Sequence, residues 1–125
     1  MLATAHPKGQ PEVALLIAPR FTEDERIAGG EEEGVCGNTF RNLRQNPRAS
    51  IVVLDPIMDP RARDGVRFEV EFLGAELDGP DLAQLTRWLE TFAPRRKIVR
   101  RLIFKVLSVE PYRPPTEGDD PVVLQ

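Results

Sequence analysis

The sequence contains few of the residues that most catalytic and metal sites use. Its 125 residues include one cysteine, Cys36, and one histidine, His6. A single cysteine excludes an internal disulfide, and with one histidine it does not complete a zinc ligand set, so we predict no metal site. No nucleophile-elbow, phosphate-loop or dinucleotide-loop motif occurs, so the residues assign no catalytic side chain. We interpret His6 as a solvated turn residue and Cys36 as a free thiol.

Long hydrophobic runs are also absent. The longest apolar run, residues 13–18, has the length of a strand and is far shorter than the ~20 residues of a membrane helix. The first residues lack the basic and hydrophobic regions of a signal peptide. These features favour a cytoplasmic protein that does not enter a membrane.

The composition is typical of one small globular domain. Hydrophobic residues make up 41% and charged residues 30% of the chain, and the formal net charge is −3. We predict a domain over residues 1–113, followed by an extended tail over residues 114–125.

A basic segment at residues 95–101 has two interpretations. Its arginines and lysine could bind a nucleic-acid backbone or another polyanion. The chain as a whole is acidic, however, and its six Phe, one Trp and one Tyr fall mostly on predicted core faces, which leaves few for base stacking. We therefore favour a solvated or ion-paired face, and the acidic run at residues 23–33 could also partner this segment across a subunit interface. Nucleic acid is not an expected partner.

Hydrophobic patterning predicts a mainly β protein with antiparallel strands and two helices. Residues 21–34 are interpreted as a solvated loop with one short strand, residues 7–11 as a hairpin turn and residues 55–64 as a surface loop. This order favours a small closed or half-closed barrel. The predicted strands span residues 2–5, 13–18, 26–28, 49–54, 66–73 and 102–109, and the helices run from Asn38 or Thr39 to Asn46 and from residues 78–81 to Pro94.

The periodicities also predict which side chains form the core. Apolar residues alternate with charged ones in the strand at residues 66–73, and they recur at helical spacing in both helices. The predicted core faces are Phe40 and Leu43 in the first helix, Val66, Phe68, Val70 and Phe72 in the strand, and Leu82, Leu85, Trp88, Leu89 and Phe92 in the second helix.

The start of the first helix is a candidate anion site. Asn38 and Thr39 offer an amide and a hydroxyl beside unpaired backbone N–H groups, and Arg41 and Arg44 follow on the helix. These groups suit a phosphate. The same pattern also occurs at an ordinary helix cap, and the residues alone leave both interpretations open.

One stretch resembles a known family. Asn-Thr-Phe-Arg-Asn-Leu-Arg-Gln-Asn-Pro at residues 38–47, followed by a strand at residues 49–54, is similar to the FMN-binding split-barrel family. That family includes pyridoxamine 5′-phosphate oxidase-related proteins and small bacterial FMN-binding proteins. The opening hairpin, the strand at residues 65–73 and Asp-Gly-Pro-Asp at residues 78–81 agree in order, so the resemblance covers most of residues 1–113.

The resemblance implies a six-stranded antiparallel split barrel. It also implies a homodimer that binds a small-molecule flavin, FMN or a deazaflavin relative, in a cleft at the dimer interface. The positions that it assigns to the cofactor are Asn38, Thr39, Arg41 and Asn42 for the phosphate, Leu15, Leu16 and Ile17 for the isoalloxazine ring, and Cys36 for the ribityl chain.

Two functions follow from this resemblance. The first is an FMN-binding protein that acts as a flavin-dependent oxidoreductase of the pyridoxamine-phosphate-oxidase-related type, in which the flavin carries the redox chemistry. The second is a cofactor-free split barrel that serves as an interaction module. The acidic residues 31–33 favour the second function, because like charges repel a phosphate dianion.

Overall fold

The computed structural model describes residues 2–5, 11–34, 38–54 and 65–112, which form seven strands and two helices. The turn with His6, the segment with Cys36, the predicted loop at residues 55–64 and the predicted tail at residues 114–125 lie outside the described residues. The elements are β1 (Leu2–Ala5), β2 (Pro11–Ala14), β3 (Ile17–Thr22), β4 (Arg26–Glu32), α1 (Thr39–Gln45), β5 (Arg48–Leu54), β6 (Gly65–Glu76), α2 (Pro80–Phe92) and β7 (Ile98–Tyr112).

All the described strands belong to one antiparallel sheet, in the order β2-β1-β5-β6-β7-β4-β3. The two edge strands, β2 and β3, are consecutive in the chain, and Leu15 and Leu16 alone connect them. The sheet is therefore curled, because a two-residue link holds its opposite edges together at one corner. The barrel predicted from the order of the elements is confirmed, with seven described strands instead of six.

The corner at Leu15 and Leu16 corrects the prediction of one strand over residues 13–18 that ends at Pro19. Ala14 and Leu16 are buried, whereas Val13 and Leu15 are exposed, so only one face of the segment is covered. Pro19 lies inside β3 instead of ending a strand. An edge strand tolerates proline, because its outer side needs no N–H donor for a neighbouring strand.

β4 contains the short strand predicted at residues 26–28 and corrects the solvated loop predicted around it over residues 21–34. It extends from Arg26 to Glu32, pairs with both β3 and β7, and is buried along most of its length. Its centre carries Gly29 and Gly30, which leave room for neighbouring side chains. A Cβ atom on Gly29 would lie 2.5 Å from Cγ of Leu16, so the corner residue packs directly on the backbone of β4.

The core lies inside the curl of the sheet. Phe68 and Val70 of β6 are buried and Phe72 packs against the core, which confirms the alternation predicted for the centre of this strand. Val66, also predicted as core, is exposed, because it lies near the start of the strand. The core cluster comprises Leu2, Leu16, Ile27, Leu43, Ala49, Ile51, Phe68, Val70, Leu102 and Phe104.

The two helices contribute unequally to the interior. Leu43 of α1 is fully buried, and α1 ends at Asn46, as predicted from the following proline. Leu82, Leu85 and Leu89 of α2 are buried, but the remaining two members of its predicted stripe are not. Trp88 is 48% exposed and Phe92 is 69% exposed. Neither described helix is long and apolar enough to span a membrane.

The contact between Leu16 and Gly29 can be tested by adding one methyl group. We expect Gly29→Ala to destabilise the protein by about 1–3 kcal/mol, because the new Cβ displaces a packed leucine. Gly74→Ala in β6 is the matched control, since a Cβ there meets nothing within 4 Å. Equal urea unfolding midpoints for the two variants would contradict the packing at the corner.

Candidate functional site

A cleft of about 810 Å³ lies between α1, the end of β4 and the start of β7. Its volume is within the range of small-molecule sites. Its charged and aromatic lining includes Glu31, Glu32, Phe40, Arg41, Arg44 and Arg100.

The pairing of β4 with β7 creates the charged floor of this cleft. Glu31 lies opposite Arg100 in the ladder, and the register then shifts so that Glu32 lies opposite Ile98. This shift interrupts the ladder between two adjacent glutamates. The acidic end of β4 therefore faces the basic segment at the start of β7, where opposite charges stabilise the strand pair.

Both glutamates are neutralised within the chain. The Nη1 atom of Arg100 donates to Oε2 of Glu31 at 2.6 Å, and Arg96 donates from Nε and Nη2 to the two carboxylate oxygens of Glu32 at 2.5 and 2.6 Å. The Glu31 and Glu32 side chains are only 8% and 9% exposed. The ion-paired face expected for the basic segment therefore forms with acidic residues of the same chain.

Ion pairing extends to most of the basic segment at residues 95–101. Three of its five basic side chains are engaged by carboxylates of the same chain, which leaves Arg95 and Lys97 without a described ion pair. These pairs are Arg96 with Glu32, Arg100 with Glu31 and Arg101 with Glu76.

Phe40 stands between two guanidinium groups in the wall of the cleft. The Cζ atom of Arg100 lies 4.0 Å from the centroid of the Phe40 ring, and that of Arg44 lies 5.8 Å from it. Both distances are within the range of cation–π attraction.

No described carboxylate lies within ion-pairing distance of Arg41 or Arg44, so α1 presents two exposed cations to the cleft.

The start of α1 holds a carboxylate that the sequence did not indicate. The backbone N–H of Asn38 donates to Oε1 of Glu12 at 2.8 Å, and Nδ2 of Asn42 donates to Oε2 of the same residue at 3.2 Å. The Asn38 side chain makes no capping hydrogen bond of its own. Glu12 from β2 therefore supplies an anion to the backbone N–H that a phosphate was expected to use.

Two buried polar atoms lie on the same helix. The hydroxyl of Thr39 and the amide oxygen of Asn42 have no hydrogen-bond partner among the described residues. The Asn42 amide nitrogen also donates to the Thr4 hydroxyl of β1 at 3.3 Å. Thr39 and Asn42 are thus buried residues of α1, and neither lines the cleft.

The structure brings together only part of the predicted cofactor set. Asn38 and Arg41 line the cleft. Leu15 is exposed at the corner, Leu16 is in the core and Ile17 begins β3, and none of them lines the cleft.

Phe40, Glu31 and Arg100 line the cleft, although the sequence did not assign them to the candidate site. Phe40 packs against the core, as predicted, and also lines the cleft, whereas Glu31 was predicted as a source of repulsion. The sequence does show that residues 31–32 and 96–100 carry opposite charges. Which glutamate pairs with which arginine can be predicted only when the register of β4 and β7 is known. Among residues 2–5, 11–34, 38–54 and 65–112, no group of three His, Cys, Asp or Glu side chains is placed to hold a metal ion.

No protein-family model and no curated protein matches the sequence. Solved structures do match it. An FMN-binding protein from Syntrophomonas wolfei subsp. wolfei aligns with a TM-score of 0.75 at 20% identity over 92% of this chain and 77% of that chain. HupZ from Group A Streptococcus aligns with a TM-score of 0.66 at 22% identity, over 87% of this chain and 80% of that one. The chain has the split-barrel fold.

An F420 reductase shares this split barrel, with a TM-score of 0.62 at 18% identity over 87% of this chain and 86% of that chain. The fold expected from the resemblance at residues 38–47 is therefore confirmed. At these identities the likeness shows the split-barrel fold alone. What the cleft binds depends on the residues that line it in this chain.

The Glu32–Arg96 pair predicts a pH dependence of stability. Hydrogen bonds from the guanidinium hold the pKa of Glu32 below its ordinary value of 4.5, and burial only partly opposes them. Because the folded-state pKa is lowered, the stabilisation is complete above the unfolded pKa and is lost as pH falls through the folded pKa. We expect Glu32→Gln to lose less stability than the wild type as the pH falls below about 4.5 in urea titrations.

Glu90→Gln, which removes an exposed carboxylate from α2, is the control for this pH experiment. It should follow the acid-induced loss of the wild type. Parallel curves for the Glu32 variant and the wild type would show that the ion pair does not contribute.

The Glu12 carboxylate predicts a second stability effect. Glu12→Ala should destabilise the protein by about 1–3 kcal/mol, since Asn38 and Asn42 each lose a charged acceptor. Glu12→Gln keeps an acceptor for one of them and should fall between the wild type and the alanine variant. Thermal unfolding checks this order, and Glu90→Ala, expected to change stability by less than about 0.5 kcal/mol, is the control.

Proposed function

We propose that the cleft between α1 and β7 binds FMN, and that the protein is a flavin-dependent oxidoreductase of the pyridoxamine-phosphate-oxidase-related type. The observation that carries this proposal is the pair of exposed cations, Arg41 and Arg44, beside a cleft of about 810 Å³. Cations without a described carboxylate partner suit an anionic group of a ligand. The F420 reductase and the FMN-binding protein of the same fold support a flavin-type ligand.

The residues of the cleft fit a phosphorylated ligand better than their raw charges indicate. Glu31 and Glu32 are each compensated by a guanidinium, so the repulsion that favoured a cofactor-free module is reduced to that of Glu33, which lines the same cleft. The Asn38 backbone N–H is already engaged by Glu12. We therefore assign the phosphate to the arginine side of α1 and not to the start of the helix.

The buried members of the predicted set have a supporting role in this proposal. Asn42 connects α1 to Glu12 and to Thr4 of β1, which fixes the helix that carries Arg41 and Arg44. When bound, the flavin would supply the hydride or electron transfer. The chain would bind the anionic end with its arginines and shield the ligand from water with Phe40 and Val99, which line the same cleft.

A homodimer is part of the proposed function. Several large apolar side chains are exposed on the single chain, including Phe21 at 63%, Leu77 at 69% and Phe92 at 69%. Such surfaces favour association with a partner. Light scattering after size-exclusion chromatography would measure the mass of the particle, and a monomer at micromolar concentration would contradict this part of the proposal.

The flavin proposal is tested by titrating FMN into the purified protein. We expect flavin fluorescence to be quenched, and we expect Arg41→Gln/Arg44→Gln to bind FMN at least about tenfold more weakly, because both exposed cations of α1 are lost. Arg87→Gln, which removes an exposed arginine from α2, is the matched control and should bind like the wild type. A parallel titration with the F420 cofactor separates FMN from a deazaflavin.

A protein that is colourless when purified and binds neither cofactor would contradict the proposed function. That result would favour the cofactor-free interaction module on the same split barrel. Equal FMN affinity in the wild type and in Arg41→Gln/Arg44→Gln would instead show that the anionic end of the ligand does not bind at α1.

A further inference from the structure

Arg100 differs from the other arginines of the cleft because it is held on two sides. Its Cζ atom stacks 4.0 Å from the centroid of Phe40, and its Nη1 atom donates to Glu31 at 2.6 Å. Its side chain is 24% exposed, whereas Arg41 and Arg44 on the opposite wall are exposed residues. A guanidinium fixed in this way has already lost much of its side-chain rotamer freedom. Ligand binding therefore needs to order this side chain less, and the entropic cost of binding is lower.

The contacts of Arg100 leave donors for a ligand. A guanidinium carries five N–H groups, and the bond to Glu31 uses Nη1 alone. Within the described residues, no hydrogen bond from Nε or Nη2 of Arg100 is found, although the side chain lines the cleft. These remaining donors suit the paired oxygens of a phosphate, which a planar fork binds with defined geometry.

Glu31 determines how Arg100 acts on an anion. The carboxylate cancels the charge of the guanidinium at close range, so the pair adds little net charge to the cleft. Arg100 should therefore act through directed, short-range hydrogen bonds, whereas Arg41 and Arg44 attract anions over a longer range. Only the long-range part is strongly screened by salt.

We propose that Arg100 is the specificity-determining residue of the cleft, and that it selects a ligand bearing a phosphate over the same ligand without one. This inference rests on the proposed function, in which a flavin occupies the cleft. Phe40 and Glu31 are positioning residues in this arrangement, because they act on the ligand through Arg100. The ligand pair that isolates the phosphate is FMN and riboflavin.

The test compares the affinities of FMN and riboflavin by fluorescence quenching at low salt and at about 0.5 M salt. Arg100→Gln should weaken FMN at least about tenfold at both salt concentrations and change riboflavin by less than about twofold. Arg41→Gln/Arg44→Gln should also weaken FMN, but its deficit relative to the wild type should shrink at high salt. Arg95→Gln, which removes an exposed arginine from the same basic segment, should match the wild type.

Two further variants keep the test valid if the first is unstable. Arg100→Gln leaves the buried Glu31 carboxylate without its cation, so Glu31→Gln/Arg100→Gln removes both charges together. This double variant should show the same selective loss of FMN. Glu31→Gln alone frees Arg100 from its carboxylate and should bind FMN several-fold more tightly, with riboflavin unchanged. Equal losses for FMN and riboflavin, or no loss, would overturn the assignment of Arg100.

A second probe separates this inference from the proposed function. If the wild type binds no flavin, the proposed function is wrong, and inorganic pyrophosphate then tests Arg100 by itself. Pyrophosphate should raise the thermal unfolding midpoint of the wild type clearly more than that of Glu31→Gln/Arg100→Gln, which keeps only Arg41 and Arg44 for the anion. The same midpoint shift in both proteins, or none in either, would overturn the role of Arg100 whatever the flavin result.

Discussion

Glu31 and Glu32 are stable inside the protein only because β7 and the turn before it bring Arg100 and Arg96 against them. A buried carboxylate without a partner is strongly unfavourable, so the acidic end of β4 requires the basic segment opposite it. The register shift between the two glutamates allows each to meet its own arginine. The same pairing closes one side of the cleft and places Arg100 on Phe40. Much of the candidate site therefore depends on one strand pair.

α1 separates the Glu12 carboxylate on one side from the arginines of the cleft on the other. On one side, Asn42 connects the helix to Glu12 and Thr4, and the carboxylate satisfies the backbone N–H of Asn38. On the other side, Arg41 and Arg44 project into the cleft without a described acidic partner. An anion from the chain thus stabilises the helix start, while the cations on the outer turns stay free to bind a ligand. The short helix serves both the fold and the site.

Patterns confined to one element were predictive. The alternation in β6 correctly predicts Phe68 and Val70 as buried, and Asn46 before Pro47 correctly ends α1, because these outcomes depend on local periodicity and backbone sterics. The extent and the burial of β4 were missed for the opposite reason. Its glycines and glutamates carry no strand pattern, and they become buried only through Leu16 packing on Gly29 and arginines pairing across the sheet.

The sequence by itself determined the split barrel, the two helices and the presence of Asn38 and Arg41 at a candidate ligand site. The tertiary structure alone decided which charges remain available there. Whether a glutamate repels a phosphate or is neutralised depends on a guanidinium more than sixty positions away, and that distance closes only when β4 and β7 pair in one register. Electrostatic function is set by spatial proximity, and proximity between distant segments is a property of the fold.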